Sequence, residues 1–64
     1  MNWTPEWLDK LRLRIGRRRG EAFPAITKTE LSKMLDCRPA TISAWYRGKS
    51  PSPQYQVLLA KLWQ

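Results

Sequence analysis

Hydrophobic residues recur three and four positions apart in four separate stretches of the chain. This spacing places them on one face of an α-helix, because an α-helix has about 3.6 residues per turn. Each stretch begins near a threonine, a serine or a proline, which favour the first turn of a helix. The pattern therefore predicts an all-α fold that is compact and contains four to five helices.

The first stretch begins at Thr4, whose hydroxyl is a predicted cap, and its helix is expected from Pro5 to about Arg17. Its buried stripe is predicted to consist of Trp7, Leu8, Leu11 and Ile15. Trp3 precedes the cap, and two alternatives are open for it. Either it packs on Trp7 as a hydrophobic staple, or it stays exposed and meets a partner subunit.

The second stretch predicts a short helix that ends in a tight turn. Thr27 and Glu30 have the spacing of a capping box, in which each side chain bonds the backbone amide of the other residue. Asp36 tolerates the left-handed conformation that such a turn needs, and Cys37 is a small residue for the core. The apolar face of this helix is predicted to consist of Leu31, Met34 and Leu35.

The third stretch predicts another short helix, from Pro39 to about Arg47, with Gly48 as its C-terminal stop. Ile42 and Trp45 turn inward, and Tyr46 is a third candidate for the inward face. Short side chains dominate the opposite face, where a helix that met only solvent would carry Glu, Lys and Gln. The predicted outward residues are Ala40, Thr41, Ser43, Ala44 and Arg47.

A loop and a last helix complete the chain. Gly and Pro punctuate the segment 20–26, in which Phe23 and Ile26 are predicted to pack into the core. The alternative is that this loop acts as an arm on DNA or on a partner. Ser52 is the predicted cap of the last helix, which runs from Pro53 to about Leu62. Its core stripe is predicted to consist of Tyr55, Leu58, Leu59 and Leu62.

The chain has 64 residues, which suffice for one small domain. Its 12 lysines and arginines face 5 acidic residues and no histidine, so the net charge is +7. Such a charge favours a polyanionic partner, either nucleic acid or an anionic membrane surface. No apolar run approaches the ~20 residues of a membrane span, and no signal peptide is visible. A single cysteine fits a reducing compartment, so we expect a cytoplasmic protein that does not bind membranes.

We expect no enzymatic activity, no cofactor and no metal site. The sequence has no histidine, no metal-ligand cluster and no glycine-rich phosphate loop. Its acidic residues are explained by helix starts, turns and solvated faces; they are Glu6, Asp9, Glu21, Glu30 and Asp36.

Four short motifs stand in register across the second and third predicted helices. They are Leu31-Ser32, Leu35-Asp36-Cys37, Thr41-Ile42-Ser43 and Trp45-Tyr46-Arg47-Gly48. Together they resemble the helix-turn-helix of the lambda-repressor-like family, also called the Cro/repressor or XRE family. The family pattern is Leu-Ala, Leu-Gly-Val, Thr-Ile-Ser and Trp-x-x-Gly at the same spacings. The motifs cover about a third of the chain, and the final helix extends the resemblance to roughly half of it.

Two positions depart from the family pattern. Asp36 stands where the family has a glycine in the turn, which costs about 1 kcal/mol of backbone strain. Arg38 stands where the family has a serine or threonine cap, which weakens the cap by about 1 kcal/mol.

The resemblance implies a single helix-turn-helix DNA-binding domain over residues 1–64. Its implied function is sequence-specific binding of double-stranded DNA as a transcriptional regulator. A small repressor of a phage or mobile element would act in the bacterial cytoplasm as a homodimer on an inverted-repeat operator, where it blocks a promoter. Two alternatives are an antitoxin-like module that binds a protein, and a DNA-binding accessory factor for phage recombination.

Three groups of candidate site residues follow. The third helix supplies the side chains expected to contact bases, because short side chains let a helix sit deep in the major groove. The family motif places these contacts at Arg38, Pro39, Ala40, Ser43, Ala44 and Arg47, with Thr41 on a base or a phosphate. Candidate phosphate contacts are Lys28, Thr29, Lys49, Ser50, Arg17, Arg18 and Arg19. Candidate dimerisation residues are Trp3, Val57, Leu62 and Trp63.

Each group also has a simpler explanation. Short side chains can reflect helix propensity alone. The lysines can be solvated, and the run from Arg12 to Arg19 can be cations that favour the negative end of a helix dipole. Val57 and Trp63 can form a self-association patch, or Trp63 can fold back onto the first helix.

Overall fold

A computed structural model gives the structure of the chain and describes residues 3–20 and 25–64. The described residues form four α-helices and no β-strand, which confirms the all-α class. The helices are α1 (Pro5–Arg19), α2 (Lys28–Leu35), α3 (Pro39–Tyr46) and α4 (Pro53–Trp63). The core position predicted for Phe23 lies outside the described residues.

The predicted helix starts are confirmed, whereas three helix ends differ from prediction. The first helix continues past Arg17 to Arg19, and Gly20 then ends it in the left-handed conformation with φ 68°. The third helix ends at Tyr46 instead of Arg47, and the fourth continues to Trp63. Such shifts are expected, because the last turn of a helix is set by cap geometry that periodicity does not report.

Two threonines cap their helices as predicted. Thr4 Oγ1 accepts from the Trp7 amide at 3.1 Å, and Thr27 Oγ1 accepts from the Glu30 amide at 3.1 Å. The second half of the predicted capping box is wrong, because the Glu30 carboxylate turns to Arg19 instead, with Nη1 to Oε2 at 2.8 Å. A guanidinium is a stronger hydrogen-bond donor to a carboxylate than a neutral amide is.

The turn between α2 and α3 has the predicted conformation. Asp36 adopts φ 54° and ψ 48°, and its amide donates to the Lys33 carbonyl at 3.2 Å. The Arg38 side chain makes no capping bond at the start of α3, as its chemistry predicts. Ser52 stands at the N-cap of α4, but its predicted capping bond is wrong. The Gln56 side-chain amide instead donates to the Pro51 carbonyl at 2.8 Å, which ties the first turn of α4 to the preceding loop.

All four helices contribute to one hydrophobic core. The first helix packs against α3 and α4, and α2 packs against the same two helices. The predicted burial of Ile26 is confirmed. Cys37, Trp7, Tyr55 and Leu62 are only partly buried and pack around the core. The buried hydrophobic residues are Leu8, Leu11, Ile15, Ile26, Leu31, Leu35, Ile42, Trp45 and Leu59.

Two predicted core residues are exposed. Met34 is 44% exposed, although Leu31 and Leu35 on the same helix are buried. Leu58 is 38% exposed beside the fully buried Leu59. In each helix the buried arc is narrower than the periodicity suggests, because the neighbouring helices cover only part of the apolar face. Residues at the edge of the apolar stripe are then left in solvent.

The tryptophans at the two ends of the chain pack together. Trp3 lies edge-on to Trp7 with ring centroids 5.0 Å apart, and Trp63 packs on Trp7 at 5.2 Å. The staple-like contact of Trp3 and the return of Trp63 onto α1 are thereby confirmed. None of the helices in the described ranges has both the length and the apolar content to cross a bilayer.

Candidate nucleic-acid interface

The rotation of α3 is set by its two buried side chains, Ile42 and Trp45. Because successive residues of an α-helix are turned by about 100°, these two leave the opposite face of α3 in solvent. The predicted base-contacting residues lie there or at the helix ends. Four are exposed, namely Arg38, Pro39, Ala40 and Arg47. Three are half-buried, namely Thr41, Ser43 and Ala44.

Three cationic residues lie near the C-terminal end of α3. Lys28, the first residue of α2, holds its Nζ 4.1 Å above the ring centroid of Tyr46. Arg47 follows Tyr46 directly as the C-terminal cap. The Lys49 amide donates to the Ala44 carbonyl at 3.1 Å, which folds the following loop back onto the last turn of α3. We call Lys28, Arg47 and Lys49 the cationic end of α3.

A cluster of polar side chains bonds Tyr46 of α3 to α1. Its hydroxyl donates to Asp9 Oδ1 at 2.6 Å and accepts from Arg12 Nη1 at 3.2 Å. The Arg12 Nε also donates to the Ile26 carbonyl at 2.7 Å, so α1, α3 and the segment before α2 are joined through one guanidinium. Burial, and then the hydrogen bond to Asp9, raise the pKa of Tyr46 above its ordinary value.

This cluster was not predicted from the sequence. The sequence patterns place Arg12 in the basic run and Asp9 among the acids that helix starts, turns and solvated faces explain. The only local signal is the i, i+3 spacing of Asp9 and Arg12, which form an ion pair at 3.2 Å. Their shared partner Tyr46 lies on another helix, so no local pattern links it to them.

The structure divides the rest of the basic run of α1 between α4 and α2. The Arg14 guanidinium lies 4.9 Å from the ring centroid of Trp63, and Arg18 Nη2 donates to the Leu62 carbonyl at 2.8 Å. Arg19 instead faces Glu30 on α2. No hydrogen bond or ion pair among the described residues joins Arg17 or Arg18 to α3, and the phosphate role of Arg17, Arg18 and Arg19 stays a prediction.

The remaining candidate residues are placed as follows. Thr29 is exposed in the first turn of α2, and Ser50 is exposed in the loop after α3. Of the candidate dimerisation residues, Val57 is 56% exposed, whereas Trp3, Leu62 and Trp63 are partly buried against the core. Val57 and its neighbour Leu58 form an exposed apolar pair on α4.

Three cations on and beside α3 have no charged partner among the described residues. In the part of the chain that the structure describes, no hydrogen bond or ion pair engages the side chains of Arg38, Arg47 or Lys49. The described residues also bring together no group of three histidine, cysteine or acidic side chains that could hold a metal. The α3 surface thus carries cationic side chains at its ends and short polar side chains between them. No family model, curated protein or solved structure matches this chain.

Proposed function

We propose that this chain binds double-stranded DNA in a sequence-dependent manner by inserting α3 into the major groove. The observation that carries the proposal is the outward face of α3, where short side chains lie between Arg38 at one end and the cationic end at the other. An α-helix with its side chains is about 10–12 Å across, and the major groove is about 12 Å wide. Short side chains let the backbone of α3 approach the bases closely.

The proposed contacts follow from the chemistry of each side chain. Arg38 can donate two hydrogen bonds to the O6 and N7 of guanine, the commonest specific protein–DNA contact. Ser43 can bond several base edges, and Ala40 and Ala44 can touch a thymine methyl group. Pro39 has no polar side-chain atom and offers apolar contact only. Thr41 serves a base or a phosphate.

The cationic end of α3 would hold the phosphate backbone. Lys28 and Lys49 lie on segments that flank α3, and Arg47 lies at its end, so the three charges can reach phosphates while α3 occupies the groove. Thr29 and Ser50 would add hydroxyl donors beside them. Each neutralised phosphate releases counterions, so the binding constant should fall steeply with salt.

The biological role that fits such binding is that of a transcriptional repressor. Two copies would place their α3 helices in successive major grooves, about 34 Å apart, on an inverted repeat. Val57 and Leu58 are the exposed apolar side chains of α4, and they are the best candidates for a contact between the two copies. A dimer bound over a promoter would exclude polymerase sterically.

The experiment that tests the proposal is selection of sites from a random duplex pool, followed by binding assays on the selected site. We expect enrichment of a motif whose inverted halves are about 10 base pairs apart. Enrichment of an unpaired motif would contradict the dimer but keep the DNA contact. No enrichment, with only salt-sensitive binding, would contradict sequence-dependent binding.

Two variants separate base contacts from phosphate contacts. Arg38→Ala should weaken the selected site about 5- to 150-fold and leave binding to unrelated duplexes nearly unchanged, because a bidentate base contact discriminates by about 1–3 kcal/mol. Lys49→Ala should weaken all sequences alike and lower the salt slope by about one unit. Lys61→Ala, which removes an exposed cation from α4, is the matched control. An equal loss on both duplexes for Arg38→Ala would assign Arg38 to phosphate.

A further inference from the structure

A second cationic surface lies on α1 and the end of α4, built from side chains that the α3 surface does not use. It is a groove of about 460 Å³. Its cations stand at i, i+4, i+7 and i+8 along α1, so they form a row on one helix face. The groove is lined by Lys10, Leu13, Arg14, Arg17, Arg18 and Trp63.

No ion pair among the described residues involves the cations that line this groove. No carboxylate is among its lining side chains. Asp9 is bonded to Arg12 and Tyr46, and Glu30 is bonded to Arg19. An anionic partner could therefore bind these cations without breaking an ion pair inside the domain.

Two of the groove's arginines are already held in place. Arg14 lies over the ring of Trp63, and Arg18 is bonded to the Leu62 carbonyl. Holding these long side chains in advance lowers the entropy lost when a ligand binds. The same contacts bear on the kind of ligand. Arg14 lies over the Trp63 ring and Trp7 packs on it, so a base could stack there only by displacing one of them, whereas the part of Trp63 that lines the groove stays available to a side chain.

Between the cations the groove has an apolar floor, formed by the half-buried side chains of Leu13 and Trp63. The charged phosphates of a nucleic-acid backbone gain nothing from contact with such a floor, because burying apolar surface is favourable only against another apolar group. An amphipathic protein helix could contact both the row of cations and the apolar floor. Acidic side chains repeated at each turn, about 5.4 Å apart, match the row of cations on α1, and one apolar side chain can cover the floor.

We propose that this groove binds an acidic amphipathic helix of a partner protein. Carboxylates of the partner face Lys10, Arg14 and Arg17, and an apolar side chain packs on Leu13 and Trp63. The site is separate from the α3 surface, so it stands whether or not α3 binds DNA. It also replaces the phosphate role predicted for Arg17 and Arg18.

The test compares two double variants of the full chain that lose the same charge. Lys10→Gln with Arg17→Gln removes two groove cations for which the described residues show no internal hydrogen bond or ion pair, so the fold should be kept. Lys33→Gln with Lys61→Gln removes two exposed cations outside the groove and is the matched control. Circular dichroism verifies the fold of both.

The probe is a labelled helical peptide of about 15 residues, with glutamate at every turn and one central leucine, since shorter isolated helices are marginal in water. We expect the groove variant to bind it at least about fivefold more weakly than the control variant, as for the loss of two exposed ion pairs. A peptide with glutamine in place of glutamate should bind neither variant measurably. Equal weakening in the two variants would overturn the proposal, because net charge alone would then account for binding.

Duplex DNA provides the second arm of the test. We expect the two double variants to lose affinity for the same duplex to the same extent, because only overall charge has changed in both. A larger loss for the groove variant would overturn the proposal in favour of phosphate contact by Arg17. Failure of DNA binding in all variants would contradict the proposed function and leave the peptide result unaffected.

Discussion

Replacing Tyr46 by phenylalanine tests whether the polar cluster holds α3 against α1. The change removes only the hydroxyl, which donates to Asp9 at 2.6 Å and accepts from Arg12 at 3.2 Å. The aromatic ring remains, so the Lys28 contact at 4.1 Å and the packing of the ring are kept. The variant therefore isolates two hydrogen bonds that join helices distant in sequence.

The size of the effect follows from the exposure of the partners. A hydrogen bond to a charged group contributes about 1.5–3 kcal/mol when it is well shielded. Here the Asp9 side chain is 61% exposed and that of Arg12 is 20% exposed, so water can replace much of what is lost. We expect a loss of about 1 kcal/mol in the free energy of unfolding, and for a domain of this size a fall in Tm of about 4–8 °C.

The pH dependence gives an independent check. The pKa of Tyr46 is raised above its ordinary value of 10.0, chiefly by burial and then by the bond to Asp9. The protonated hydroxyl therefore contributes stability that is fully present below pH 10.0 and is lost as the pH rises through the folded-state pKa. The difference in the free energy of unfolding between wild type and Tyr46→Phe should shrink as the pH rises through the folded-state pKa of Tyr46.

The assay is urea unfolding followed by circular dichroism, at neutral pH and at a series of alkaline values. Tyr55→Phe is the matched control, because the Tyr55 ring packs on Trp45 at 5.5 Å and its hydroxyl makes no hydrogen bond among the described residues. If Tyr46→Phe were no less stable than Tyr55→Phe, the cluster would not hold α3 in solution. The Lys28 and Arg47 positions would then need another explanation.

Three further predictions concern the turn and the surface around α2. Asp36→Gly should raise the free energy of unfolding by up to about 1 kcal/mol in urea titrations, because glycine adopts φ 54° without strain; a loss of stability would contradict this. Met34 is exposed, so Met34→Gln should change the free energy of unfolding by less than about 0.5 kcal/mol, whereas Leu35→Ala in the core should lower it by about 2–5 kcal/mol. Similar losses for the two variants would place Met34 in the core. Burial and the charge of Asp36 raise the pKa of the Cys37 thiol. Iodoacetamide should therefore alkylate the native chain more slowly near pH 8 than the urea-unfolded chain, because the thiolate is the reactive form. Equal rates would refute the raised pKa of Cys37.

The positions of the helices were predictable because their signals are local. Thr4 and Thr27 cap the first turns that they precede, and Asp36 takes the left-handed conformation between α2 and α3. Apolar spacing likewise identified Ile42 and Trp45 as the inward side chains of α3. These features depend on residues within four positions of one another, so the order of residues in the chain is sufficient to predict them.

The limits of the core depended on how the helices pack. Met34 and Leu58 satisfy the helical spacing as well as their buried neighbours do, yet they lie in solvent. Periodicity reports which face of a helix is apolar, but the width of the buried arc depends on where neighbouring helices cross it.

Local patterns in the chain are enough to locate the helices, the composition of the α3 surface and the excess of positive charge. How that charge is divided depends on the fold. It directs Arg12 to Tyr46, Arg19 to Glu30, and Arg14 with Arg18 to the end of α4. Successive residues of one helix point in different directions, and the partners of these arginines lie at least 11 positions away in the chain. A run of arginines that is continuous in sequence therefore becomes several separate sites once the chain is folded.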